Sequence, residues 1–195
     1  MSETQTIRKP RLVIFLGMTA SGKSTLAMRW AEQQGLPYYN TDRVRKELAG
    51  LEVTDKRPDG IDQGIYSPEL SAKTYAAMLE RAQKDIAGGA GMVVLDGSYA
   101  KRADRDAVRQ AAEQIGAEAL FFYCYCSEEE TKRRLAIRAA DRGAVSDGRW
   151  EIYVHQQTSF ERPQEDERAD CCLFLNEGEL PELLEKVMAQ LAIAG

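Results

Sequence analysis

The residues with the clearest chemical purpose are 17 to 24, Gly17-Met18-Thr19-Ala20-Ser21-Gly22-Lys23-Ser24, which match the pattern G-x-x-x-x-G-K-[ST] without a departure. Glycines let such a loop wrap so that successive backbone N–H groups point inward, and a following helix adds its N-terminal dipole to the same anion site. The pattern binds the phosphates of a nucleoside triphosphate. Lys23 reaches the β- and γ-phosphates, the Ser24 hydroxyl ligates Mg²⁺, and Gly17 through Thr25 form the cradle. Three further groups narrow the chemistry. Asp42 and Arg45 stand one helical turn apart: the carboxylate suits the proton of an attacking hydroxyl, and the guanidinium suits an anionic group of substrate or transition state. Asp96 closes the apolar run Met92-Val93-Val94-Leu95, as a carboxylate that handles Mg²⁺ or one that fixes Arg45 by a salt bridge. Arg134, Arg138 and Arg142 recur at i,i+4 spacing, and guanidinium groups on a closing lid stabilise the charge of a phosphoryl group in transfer. Each group also has a plainer role: Asp42 as a helix cap with Arg45 in solvent, Asp96 as the start of a loop, the arginines as a solvated helix face.

The elements that must hold these residues are legible in order. Arg11 to Leu16 reads as a buried strand, and Leu26, Ala27, Trp30 and Ala31 place a helix over about 23 to 34 that stops at Gly35. Pro37 to Asn40 is a short second strand, and Thr41 to Leu48 opens a capped helix, so Asp42 lies just past a strand end. Residues 51 to 67 are polar, rich in Gly, Pro and Asp and without periodicity, which makes them a long loop that is either mobile or in contact with substrate. Ser67-Pro68-Glu69 starts a helix with an N-cap and Pro at N1, running to Gly88-Gly89. A strand over Met92 to Asp96, a helix over 101 to 115 and a strand over about 119 to 125 follow. The capping box Ser127-Glu128-Glu129-Glu130 then starts an Arg-rich helix that closes at Gly143. Residues 148 to 160 read as a helix, Cys171 to Leu175 as a strand, and Leu180 to Leu191 as an amphipathic helix. Alternating strands and helices predict an α/β fold, a five-stranded parallel sheet with helices on both faces, with residues 134 to 165 as a helical lid.

With 195 residues, one domain over 1–195 is expected. Hydrophobic residues at 44% and charged residues at 29% match soluble globular proteins. No apolar run approaches the roughly 18 residues of a spanning helix, and residues 1 to 10 lack a signal-peptide core, so the expected compartment is the cytoplasm. A net charge of -5 argues against a protein that coats nucleic acid nonspecifically. Cys124, Cys126, Cys171 and Cys172 lack the two-residue gap of zinc and redox motifs and read as reduced packing residues, the first two sharing one face of a strand. His155, the single histidine, builds neither a metal site nor a triad with these partners.

Gly17 to Ser24, Asp42-x-x-Arg45, Val93-Val94-Leu95-Asp96 and Arg138-x-x-x-Arg142-Gly143 together resemble the small kinases grouped with polynucleotide 5'-hydroxyl kinase and zeta-toxin-like proteins. The likeness is greatest to bacterial ATP-binding kinase-like domains that occur alone or joined to aminoglycoside-phosphotransferase-like domains, and it covers most of residues 11 to 165. It implies a P-loop NTPase fold of the kinase type with strand order 2-3-1-4-5 and the use of ATP with Mg²⁺. It also implies a general-base role for Asp42, substrate or phosphate binding for Arg45, and transition-state stabilisation for Arg142 with Arg138 beside it. Tyr66-Ser67-Pro68-Glu69 and Arg102-x-x-Arg105 share the likeness, and the second would line the acceptor pocket. No phosphatase or aminoglycoside-phosphotransferase module and no evident antitoxin-binding region accompanies these pieces, so the acceptor stays open.

The expectation is an ATP-dependent kinase that moves the γ-phosphoryl group to a hydroxyl of a small molecule or a nucleic-acid end, without an evident stable protein partner. A polynucleotide 5'-kinase proper would need a basic channel, and no extended Lys/Arg run supplies one. A zeta-toxin-like kinase would take a nucleotide sugar. A switch ATPase would leave Asp42-x-x-Arg45 without purpose. The chain has no Asn-Lys-x-Asp guanine-reading motif, which leaves ATP as the expected nucleotide.

Overall fold

The computed structural model describes residues 9–55, 63–140 and 150–193. Its central strand β1 (Arg11–Leu16) owes its place to an unbroken apolar run, with Leu12 to Leu16 all removed from solvent. The other strands are β2 (Tyr38–Asn40), β3 (Met92–Asp96), β4 (Glu118–Tyr125) and β5 (Cys171–Leu175). All four pairings are parallel, in the order β2-β3-β1-β4-β5. The expected five-stranded parallel sheet and its strand order are therefore present. The register sets Asp96 beside both Phe15 and Asn40 at the carboxyl edge, where open parallel sheets hold their ligands.

Seven α-helices are described: α1 (Lys23–Gln34), α2 (Thr41–Leu48), α3 (Pro68–Ala87), α4 (Arg102–Gln114), α5 (Glu128–Ala140), α6 (Trp150–Ser159) and α7 (Leu180–Ile193). Alternation along β1 divides the core in two. Leu12, Ile14 and Leu16 pack with Val44 of α2, Met78 of α3 and Val108 of α4, whereas Val13 and Phe15 pack with Trp30 of α1 and Leu183 and Val187 of α7. Phe15 stacks on Phe122 with ring centres 5.0 Å apart and meets Trp30 at 5.9 Å, so the strand carrying the loop is clamped directly below it. No helix among the described residues is long and apolar enough to cross a membrane.

Most helix ends follow the sequence. Gly35 closes α1 with φ 64°, and Ser67 caps α3 through Leu70 N–H with Pro68 at N1. Two ends differ. The cap of α2 is Asn40, whose side-chain oxygen accepts from the N–H groups of Asp42 and Arg43. At α5 the expected capping box is half formed: Ser127 Oγ accepts Glu130 N–H at 3.2 Å, but the Ser127 N–H donates to Glu177. Glu130 is drawn away because its carboxylate binds Arg133 and Arg134. Closure of the Arg-rich helix at Gly143 lies outside the described residues. All four cysteines are free thiols, but Cys126 lies past the end of β4 and its Sγ donates to Ala20 O.

Candidate active site

The loop between β1 and α1 has the backbone its glycines foretell. At Gly17, φ is 147° and a Cβ would run into the Cys124 carbonyl. Gly22 adopts φ 79°, and a Cβ there would strike the guanidinium of Arg134 and the amide of Asn176. Ala20 takes the same left-handed region at φ 59°, a strained setting for a residue with a Cβ, held by burial against Leu135 and Tyr153. Lys23 Nζ donates to the Met18 carbonyl at 3.3 Å, folding its ammonium over the loop mouth. Ser21 Oγ is buried without a partner among the described residues, and Thr25 is exposed beside the loop. Three elements brace the loop from outside. Asn176 Nδ2 donates to Ser21 O at 2.8 Å, Arg134 donates to Ala20 O at 3.4 Å and to Asn176 O at 2.7 Å, and the Thr19 N–H donates to Gln156 Oε1 at 2.6 Å.

Asp42, Asp96 and Arg138 all act on Lys23. Burial pushes the Lys23 ammonium below its ordinary range, opposed first by Asp96 and then by Asp42, while Arg138 adds to the depression. Burial also lowers Arg138, and the Asp42 carboxylate opposes it. Asp42, Asp96 and Arg138, from three other segments, thus lie within electrostatic range of Lys23. Arg45 binds Asp42 with NH1 to Oδ1 at 2.8 Å and lies 5.0 Å from the centre of the Tyr66 ring. Because Asn40 caps α2, the Asp42 carboxylate is not spent on the helix end.

Asp96 is fully buried. Its Oδ2 accepts from Tyr38 OH at 2.7 Å and Asn40 Nδ2 at 2.5 Å, and the Ser24 side chain lies close enough to influence the carboxylate. Burial raises its pKa, with Lys23 the main opposing influence. Oδ1 has no partner among the described residues. An orphaned carboxylate oxygen next to a serine hydroxyl at the loop is a donor set that fits Mg²⁺, a hard cation that favours oxygen ligands. Of the two roles expected for Asp96, the salt bridge to Arg45 is replaced by the Arg45–Asp42 pair.

Other expected site residues lie elsewhere. Arg134 is an anchor: besides its bonds to Ala20 O and Asn176 O, its Nε donates to Glu130 at 2.7 Å. Arg105 and Arg102 do not join the cluster. Arg105 is wholly buried, bound through Nε and NH2 to the two Glu167 oxygens at 2.7 Å each and through NH1 to the carbonyls of Tyr99 and Glu161. Arg102 pairs with Asp166 at 2.6 Å and Asp106 at 3.6 Å. Arg105 serves the packing of α4, because Glu167 and two carbonyls use up its guanidinium donors, whereas Arg102 stays half-exposed and borders with Arg105 a cavity of about 480 Å³. Arg142 lies outside the described residues. Residues that pattern reading passed over are Tyr38, Asn40, Gln156 and Asn176. Asn40 had a signal, since Asn before Thr-Asp is a favoured cap, whereas the others are uncharged and carry no spacing.

Beyond Gly22 the loop opens into a cleft of about 330 Å³, bordered by Thr25, Arg134, Ile137, Arg138, Asn176 and Leu180.

The chain is similar to an uncharacterized protein of Mycobacterium tuberculosis, 31% identical over 142 residues that make up 73% of this chain. It spans only 28% of that relative's length. It is also similar to an adenylate kinase of Clavibacter michiganensis, 29% identical over 193 residues and covering 94% of each chain. Among solved structures, a sugar kinase from a Janibacter species superposes with a TM-score of 0.67 at 19% identity, covering 96% of each chain, which shows a shared P-loop kinase fold. A family profile described as AAA domain matches residues 12–163, and with most of its length inside that match the chain belongs to the AAA domain family.

Proposed function

We propose that the protein is an ATP-dependent phosphotransferase that moves the γ-phosphoryl group of ATP to a hydroxyl of a small molecule. The observation that carries this reading is a phosphate loop with Asp42 released from capping by Asn40, held by Arg45 and within electrostatic range of Lys23. The adenylate kinase relative and the kinase fold of the sugar kinase neighbour support the coarser part of this reading, a nucleotide-dependent phosphotransferase.

The loop amides and Lys23 hold the phosphates, and Ser24 and Asp96 would hold Mg²⁺. When bound, Mg²⁺ supplies positive charge against the phosphate oxygens. Ile137 and Leu180 give the cleft apolar walls for the nucleobase, with Arg134 and Arg138 nearby. Arg45 orients Asp42 so that its carboxylate takes the proton of the acceptor hydroxyl. The acceptor oxygen forms a bond to the γ-phosphorus as the bond from that phosphorus to the bridging oxygen breaks. ADP departs with the electron pair, and Asp42 keeps the proton. Arg138, largely desolvated, faces the charge on the group in transfer.

The test is transfer of label from γ-labelled ATP with Mg²⁺ to separate pools of sugars, aminoglycosides, nucleosides, nucleotide sugars and oligonucleotide 5'-ends. Label should enter one small-molecule pool, and Asp42→Asn should lower that transfer by about 10²–10⁴-fold while ATP still binds. Free phosphate in every pool, released equally by Asp42→Asn, would replace the kinase by a hydrolase.

A further inference from the structure

Helix α6 is anchored on the phosphate loop at one place and, just past its end, on the loop that follows β3. Tyr153 is buried against Ala20 and Leu135, on the phosphate-loop side. Just past the helix, Phe160 stacks on Tyr123 at 5.7 Å, and the Glu161 N–H donates to Ala100 O at 2.9 Å, on the side of the loop that follows β3. Gln156 sits between these anchors, and its Oε1 accepts the Thr19 N–H at 2.6 Å. A backbone N–H can be met only by the oxygen of a glutamine amide, so Nε2 points the other way. Gln156 is half-buried, and no partner for Nε2 is found among the described residues. The preceding residue in the loop, Met18, gives its carbonyl to Lys23 Nζ. That lysine marks the end of the cradle where the terminal phosphates belong. An amide with two free hydrogens is thus fixed at the γ end of the loop.

We propose that Gln156 recognises the terminal phosphoryl group: Oε1 holds the Thr19 peptide, and Nε2 donates to a γ-phosphate oxygen. This rests on the nucleotide reading above. It makes α6 the element that tells ATP from ADP, because its contact exists only while the γ-phosphoryl group is in place. Glu is the informative substitution. It keeps an oxygen for Thr19, removes the donor and sets a negative charge against the phosphate.

The experiment is calorimetric binding of ADP and of a nonhydrolysable ATP analogue to wild type, Gln156→Ala and Gln156→Glu, with amide exchange of Thr19 followed by NMR. Losing a hydrogen bond to a charged group should weaken the analogue about tenfold or more in Gln156→Ala, with ADP affinity changed by no more than about threefold. Gln156→Glu should keep Thr19 protected and yet weaken the analogue further. Equal weakening of both ligands, or a Glu variant that binds the analogue like wild type, would reduce Gln156 to a brace for the loop and overturn the proposal. Failure of wild type to bind ADP at all would overturn the nucleotide reading and this proposal with it.

Discussion

Removing the charge of Glu167 should destabilise the protein more than any change at the exposed ion pairs. Arg105 and Glu167 have side-chain exposures of 0% and 1%, and Arg109 adds a second contact to Glu167 at 3.1 Å. In Glu167→Gln the Arg105 guanidinium stays in the interior without its countercharge, and breaking a buried pair from one side costs about 3–5 kcal/mol. For a chain of this length each kcal/mol moves Tm by about 2–4 °C, so the loss should be about 10 °C. The pH dependence carries a sign. Arg105 holds the Glu167 carboxyl down at about 2, below the ordinary 4.5. A depressed carboxylate stabilises the fold above its unfolded value and loses that contribution as pH falls through its folded one. The gap of about 3 kcal/mol between wild type and Glu167→Gln should therefore be full above pH 4.5 and shrink between about 4.5 and 2. Thermal scans at pH 7 and pH 3 measure it. A Tm loss below about 3 °C at pH 7, or a gap equally wide at both pH values, would refute the reasoning.

Three other outcomes are expected. Gly17→Ala should lose nucleotide binding, since the added Cβ meets the Cys124 carbonyl, and calorimetry giving an unchanged ADP affinity would contradict this. Burial pushes the Cys124 thiol well above its usual range, Cys171 up to about 12 and Cys172 up to about 11. At pH 8 the thiolate fraction of Cys172 is about one in a thousand, so a thiol reagent should label these three slowly in native protein and all four cysteines quickly in denaturant. Asp96→Asn should raise the Mg²⁺ concentration for half-maximal phosphoryl transfer about tenfold or more, read from a magnesium titration. An unchanged midpoint would take Asp96 out of the metal site.

What the sequence made legible is what depends on near neighbours. The phosphate loop, the strand Arg11–Leu16 before it and the stop at Gly35 follow from local sterics and burial, and each lies where periodicity and glycine placed it. The arginines were harder. A guanidinium that holds a phosphate and one that holds a buried carboxylate have the same spacing code, and Glu167, which decides the matter for Arg105, comes 62 residues later. Arg134 sits on the expected helix, but long-range folding brings Ala20 and Asn176 to it, and their carbonyls take its hydrogens. Gln156 has no charge and no periodic partner, so only the packing of α6 reveals it.

Asn40 splits one amide between two duties, its oxygen capping α2 and its nitrogen holding Asp96 at 2.5 Å. This sets how the position can drift under mutation. Asp, Ser and Thr would each keep the helix capped. Asp would turn a second carboxylate on Asp96, and Ser or Thr would lack the amide nitrogen that binds it. Changes that look conservative by the standards of helix formation would keep α2 capped and leave the buried Asp96 carboxylate without its amide donor. Drift at this site should therefore register in a screen for stability through the buried carboxylate, even where the helix cap is kept.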